Sequence, residues 1–137
     1  MSDITKFPDL GSRLTQKIIK CAIEVHKELG PGLLESVYEH GLAYELEKEN
    51  LKFERQKQIP IFYKGHQLKE CFRADFIIED KIILELKTVE ALIPLHHAQI
   101  LSYMKLTNLD LGLLLNFNAP LMKDGIKRVA WSERHKQ

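Results

Sequence analysis

The segment "RADFIIEDKIILELK", residues 73–87, constrains the fold of this chain more than any other. Its two apolar runs alternate with the period of β-strands and fold over a turn at Glu79 and Asp80. Asp75, Glu85 and Lys87 stand inside those runs, where a plain hairpin would carry Val or Thr. Side chains alternate across a strand, so Glu85 and Lys87 share one face while Leu84 and Leu86 take the other. A two-residue loop at Glu79-Asp80 sets Asp75 against Leu84 and mixes charge with aliphatics on both faces. A three-residue loop over Glu79, Asp80 and Lys81 instead pairs Ile78 with Ile82, Phe76 with Leu84 and Ala74 with Leu86, which makes one face wholly apolar. The other face then carries Ile77 with Ile83, Asp75 with Glu85, and Arg73 with Lys87. A slip of one residue would turn every side chain to the wrong face, so burial selects the three-residue loop, or a bulge near Asp75 with the same effect.

Opposed residues have Cβ atoms about 5 Å apart. Two ionised carboxylates that close repel by about 4 kcal/mol at an effective dielectric of about 20. A shared proton, a basic neighbour or a divalent cation must offset the repulsion. Arg73 and Lys87 offer a cross-strand charge ladder, worth about 1 kcal/mol or less where exposed. A metal site with an adjacent lysine is the sharper reading, and spacing alone leaves both open.

Around this hairpin the chain reads as one domain over residues 13–132, with a loosely held polar arm at 1–12 and a polar tail at 133–137. Leu14, Ile18, Ala22, Val25 and Leu29 recur at helical spacing, and "GPG" at 30–32 ends that helix. A second helix is expected from about Leu33 to Asn50. Residues 53–87 alternate as a three-strand meander with turns at Lys64-Gly65 and Glu79-Asp80; Pro60 assigns the first strand to an edge or a bulge. Pro94 to Thr107 reads as a third helix with Pro in its first turn. "LGLLLNF", 111–117, is the run of a strand covered on both faces, and "IKRVAW", 126–131, is a last strand. The order is α-α-β-β-β-α-β-β, an α/β sheet with helices packed against it.

A net charge of +1 excludes a globally basic protein, so any nucleic-acid contact needs a local patch; no extended basic stripe or aromatic platform is visible along the sequence. Cys21 and Cys71 fit neither a metal-ligand spacing nor a disulfide framework and read as buried or half-buried thiols of a reducing, cytoplasmic protein. Charge breaks every apolar stretch within about ten residues, which excludes a membrane span. No G-x-G-x-x-G follows a strand, which argues against a dinucleotide-dependent oxidoreductase.

Asp75 followed by Glu85-Leu86-Lys87 resembles the motif of the PD-(D/E)xK nuclease superfamily. "GLLESVYE" matches the signature of the GxxExxY proteins, with Gly32, Glu35 and Tyr38 in place. "HAQILSYMK" supplies Gln99 and Tyr103, similar to the Q-x-x-x-Y element of exonuclease branches, and "GLLLNF" resembles the next strand. The resemblance implies a restriction-endonuclease-like core, a mixed central sheet flanked by helices, and a Mg2+- or Mn2+-dependent nuclease. Asp75, Glu85 and the backbone carbonyl of Leu86 would hold the cation, with Glu35 as a third acid acting directly or through water. Lys87 would orient and help deprotonate the attacking water. Gln99 and Tyr103 would contact the nucleic-acid backbone or hold Lys87, and His96 and Arg73 would also meet the substrate.

The implied partner is nucleic acid, DNA ahead of RNA, with a second copy or a protein partner extending the grip of so small a domain. The alternative is an inactive module of the same fold that binds nucleic acid or a protein. Simpler local roles stand beside these. Glu35 suits the helix dipole, Tyr38 lies between Leu34 and Leu42 as a core residue, and Gly32 suits a positive φ. Ala98, Ile100 and Leu101 suggest partial burial around Gln99.

Overall fold

A computed structural model describes residues 12–131. The arm read at 1–12, apart from Ser12, and the tail at 133–137 lie outside the described residues. Helices α1 (Ser12–Leu29) and α2 (Glu35–Lys48) precede strands β1 (Phe53–Tyr63), β2 (His66–Ile78) and β3 (Ile82–Lys87). Helix α3 (Pro94–Thr107) leads into β4 (Leu111–Asn116), and a 3-10 turn at Met122–Gly125 leads into β5 (Ile126–Ala130). This is the order read from the sequence. The strands form one sheet, β1-β2-β3-β4-β5, antiparallel except for the β3–β4 pair, which α3 joins as a parallel crossover. The result is a mixed α/β sheet flanked by helices, consistent with a restriction-endonuclease-like core.

Two apolar layers hold the sheet. Ile18, Val25, Leu42 and Leu46 of α1 and α2 pack on Phe76, Ile78, Leu84, Leu86 and Leu115. On the opposite side Ile100 and Met104 of α3 pack on Ile77, Ile83, Leu114 and Val129. Every residue of β4 is buried, which explains its unbroken apolar run. Strand β1 lies at the edge of the sheet and shifts register between Pro60 and Phe62, so Pro60 marks both an edge and a bulge. No helix among the described residues is long and apolar enough to cross a membrane.

The α1–α2 corner aims the start of α2. Gly30 and Gly32 take φ of 71° and 99°, a region that only glycine enters freely. Tyr38 is fully buried and stacks 4.7 Å from the Phe117 ring. Its hydroxyl donates to the Gly30 carbonyl (2.6 Å) and accepts from the Leu33 N–H (3.0 Å), which stitches the turn to the helix that carries Glu35. Two sequence readings change here. Helix α2 starts after Leu34 rather than at about Leu33, which leaves Leu34 74% exposed. Cys71 is exposed because β2 extends beyond the body of the protein at that point, whereas Cys21 is buried and its thiol is pushed up to about 11, mainly by desolvation.

Two glycines permit close packing. A Cβ on Gly125 would collide with the backbone carbonyl of Asn116, which cannot yield. One on Gly112 would meet only the side-chain ends of Ile100 and Met104. Gly125→Ala is therefore expected to cost about 1–3 kcal/mol in chemical denaturation, and Gly112→Ala less. The reverse ranking would contradict this packing.

Candidate active site

The turn between β2 and β3 has the three-residue loop that burial demanded. The register is Ile78↔Ile82, Ile77↔Ile83 and Phe76↔Leu84. Glu79 and Asp80 both take positive φ, 55° and 54°, a strain of order 1 kcal/mol or more at each. Glu79 is tied down twice: its N–H donates to the Lys52 carbonyl (2.8 Å), and its carboxylate accepts the Lys52 N–H (2.7 Å).

The paired ladder ends at Phe76↔Leu84, and Ala74 packs in the α3 layer while Leu86 packs in the other, so the expected Ala74–Leu86 pair is not formed. Here side chains take over the ladder. The Asp75 N–H donates to Glu85 Oε2 (3.1 Å), and the Leu86 N–H donates to Asp75 Oδ2 (2.8 Å). Each carboxyl thus occupies the place of a backbone carbonyl on the neighbouring strand. Glu85 is 6% exposed and Asp75 half-buried.

Burial dominates the electrostatics. Desolvation, then the charge of Asp75, pushes Glu85 up to about 9. Asp75 is also raised, first by desolvation, against the opposing pull of the Leu86 N–H, the Gln56 amide and Lys87. At neutral pH the pair therefore holds a proton in common. Arg73 is exposed and makes no ion pair among the described residues, so a charge ladder is not what reconciles the acids. Half-buried Lys87, two residues beyond Glu85 on β3, favours the ionised form of Asp75, Glu85 and Glu35.

The exit of β3 is fixed. The Phe117 N–H donates to the Lys87 carbonyl (2.9 Å). Buried Asn116 clasps Val89 in both directions, Nδ2 to its carbonyl (2.9 Å) and Oδ1 from its N–H (3.1 Å). Glu35, the first residue of α2, keeps solvent access; partial desolvation and then Asp75 raise its pKa. Tyr103 comes from α3, its ring 4.7 Å from Phe72, and is raised by burial and then by Glu85 and Asp75.

Other readings change in detail. Gln99 is exposed, as is Ala98, because α3 turns Ile100 and Met104 inward instead. His96 caps α3: its Nδ1 accepts the Ile93 N–H (3.0 Å), and its own N–H donates to the Ile93 carbonyl (2.9 Å). A cavity of about 1080 Å³ opens at the far end of the strands beside Leu51, Asp80 and Leu111 and contains none of these groups.

Three residues were missed. Gln56 sits in β1 with φ of 49°, a backbone conformation foreign to a strand. Its neighbours pair normally, Arg55↔Phe76 and Lys57↔Ala74, while its amide donates to Asp75 Oδ1 (3.2 Å) and Glu39 Oε1 (2.8 Å). Glu39 also accepts Arg55 (3.1 Å). Glu39 lies one helical turn after Glu35, a spacing that offered a signal. Gln56 and Asn116 offered none, since their roles depend on a strained backbone and on a loop contact.

No group of three or more His, Cys, Asp or Glu among the described residues is gathered tightly enough to hold a metal ion. The Asp75–Glu85 pair alone still suits an oxygen-seeking divalent cation that keeps most of its waters, for which two carboxylates suffice. A family model described as the PD-(D/E)XK nuclease superfamily matches residues 12–129. No curated protein and no solved structure matches the chain.

The raised Glu85 has a consequence for stability. Its folded pKa, about 9, exceeds the ordinary 4.5, so the folded protein binds more protons across that window. The stabilisation is complete below about pH 4.5 and is lost as pH rises toward 9. Without divalent cations the protein is expected to weaken from pH 6 to 9. Glu85→Gln, which mimics the protonated acid, should flatten that decline and exceed the parent at pH 9 by about 1 kcal/mol or more. Urea titrations across pH measure this, and stability that rises with pH in the parent would contradict it.

Proposed function

The chain belongs to the PD-(D/E)XK nuclease superfamily, and from that premise we propose that it is a metal-dependent nuclease of the GxxExxY branch, cleaving phosphodiester bonds in nucleic acid, DNA ahead of RNA. Members of this superfamily generally use divalent metals. The observation that carries the proposal is the Asp75–Glu85 pair, drawn out of water, with Lys87 two residues beyond Glu85 on the same strand. A fold kept only for binding would have no use for two acids forced together out of water, a costly arrangement.

In this reading Asp75, Glu85 and the Leu86 carbonyl would hold Mg2+ or Mn2+, which when bound would supply Lewis acidity and a water ready to ionise. The chain's own groups do the rest. The Asp75 and Glu85 carboxyls give up their common proton and present two anionic oxygen donors. Lys87 orients the attacking water through its ammonium and offsets negative charge developing on the phosphoryl oxygens. Glu35, solvent-facing beside them, positions water from the α2 side. The Tyr103 hydroxyl, the Gln99 amide, the Arg73 guanidinium and the free Nε2 of His96 receive the nucleic-acid backbone. A single domain at 13–132 performs this in the cytoplasm, with a second copy or a protein partner extending its grip.

Asp75→Ala should abolish the rise in melting temperature that Mg2+ or Mn2+ gives the parent. Lys87→Ala should keep that rise but lose roughly 100- to 1000-fold in cleavage of labelled nucleic acids. Cleavage that survives Lys87→Ala unchanged would overturn the mechanism.

A further inference from the structure

Every residue from Pro60 to Cys71 except Ile61 is exposed, so the outer halves of β1 and β2 leave the body as a two-stranded ribbon closed at Lys64-Gly65. Six residues of β2, from His66 to Cys71, give it a reach of about 20 Å. Such ribbons are marginal in water, and their open edges invite mispairing. This one has a firm root: Ile59 is buried, and the Phe72 ring packs on Tyr103. The root is also the rim of the acid pair, because Asp75 lies three residues beyond Phe72 on the same strand.

Between residues 57 and 73 stand four cations, Lys57, Lys64, Lys69 and Arg73, and one acid, Glu70, in a chain whose net charge is only +1. Lys57 is engaged by Glu54 (2.9 Å), whereas Lys64, Lys69 and Arg73 make no ion pair among the described residues. Arg73 and Lys69 stand on β2 two and six residues outward from Asp75, about 7 and 20 Å along the strand. Lys64 lies at the tip, its ammonium 5.5 Å from the exposed Tyr63 ring. The fold thus gathers on one ribbon cations that look scattered in the linear sequence.

We infer that the ribbon is a nucleic-acid arm. The phosphate backbone leaving the acid pair runs along the ribbon, past Arg73 and Lys69 to Lys64; placing the scissile bond at Asp75 and Glu85 rests on the nuclease reading above. Charge selects a polyanion as the occupant. A second copy pairing along the ribbon edge would instead bring Lys64 and Lys69 of both copies together, an unfavourable like-charge juxtaposition.

The test is fluorescence anisotropy with a labelled duplex of about 30 base pairs and its single strand, in EDTA so that no cleavage intervenes. The double substitution Lys64→Glu, Lys69→Glu is expected to weaken binding at least about tenfold and to reduce the slope of log affinity against log salt by about 2. Lys64→Gln with Lys69→Gln should move both readouts the same way by less, with thermal melting unchanged in both proteins. Parent-like affinity and slope in both variants would overturn the inference. So would sedimentation showing that the parent is a dimer which the substitutions dissociate. Binding is read without metal, so a protein that binds through the ribbon but never cleaves contradicts the nuclease reading alone.

Discussion

The forced meeting of Asp75 and Glu85 is the constraint from which the rest of this structure follows. Neither acid chooses its neighbour. The three-residue loop at Glu79–Lys81 fixes the register of β2 and β3, and the apolar face of Phe76, Ile78, Leu84 and Leu86 can be buried in no other register. The same alternation that fills the core therefore delivers two carboxyls to one spot on the opposite face. Glu79 and Asp80 accept left-handed backbone conformations to close that loop, and the Lys52 bonds hold the strain in place.

Once the acids are together, their surroundings prevent the repulsion from splaying the strands. The Asp75 and Leu86 N–H groups bind the carboxyls directly, and the Gln56 amide links Asp75 to Glu39 on α2. Asn116 and Phe117 hold the segment after β3, so the backbone that carries Lys87 has little room to move. A shared proton then reconciles the two negative charges in the absence of any cation. In the proposed reading a divalent ion would enter by displacing that proton.

Much of this was legible in the sequence, for identifiable reasons. Period-2 alternation with one allowed loop length gave the Asp75–Glu85 opposition, because burial leaves register no freedom. Pro60, Pro94 and the unbroken run of β4 likewise reflected local rules that tertiary packing reinforces. The GPG corner was visible as a stop, but the closure of that corner by the Tyr38 hydroxyl was not, since it depends on where α2 lands. Gln99 misled because its apolar neighbours face different directions around a helix. The role of Gln56 lay beyond reach altogether, because nothing in a polar edge strand announces a positive φ. The ribbon cations looked scattered in sequence and were gathered on one arm only when β2 was extended past the body of the sheet.

The most direct test of this account is a calorimetric titration of the free protein with Mn2+ near pH 7, repeated in two buffers with different heats of ionisation. Displacement of the common proton from Asp75 and Glu85 predicts binding heats that differ between the buffers by about one proton released per ion bound. Saturable binding with heats independent of buffer would mean that the acids do not share a proton, and would contradict the central claim.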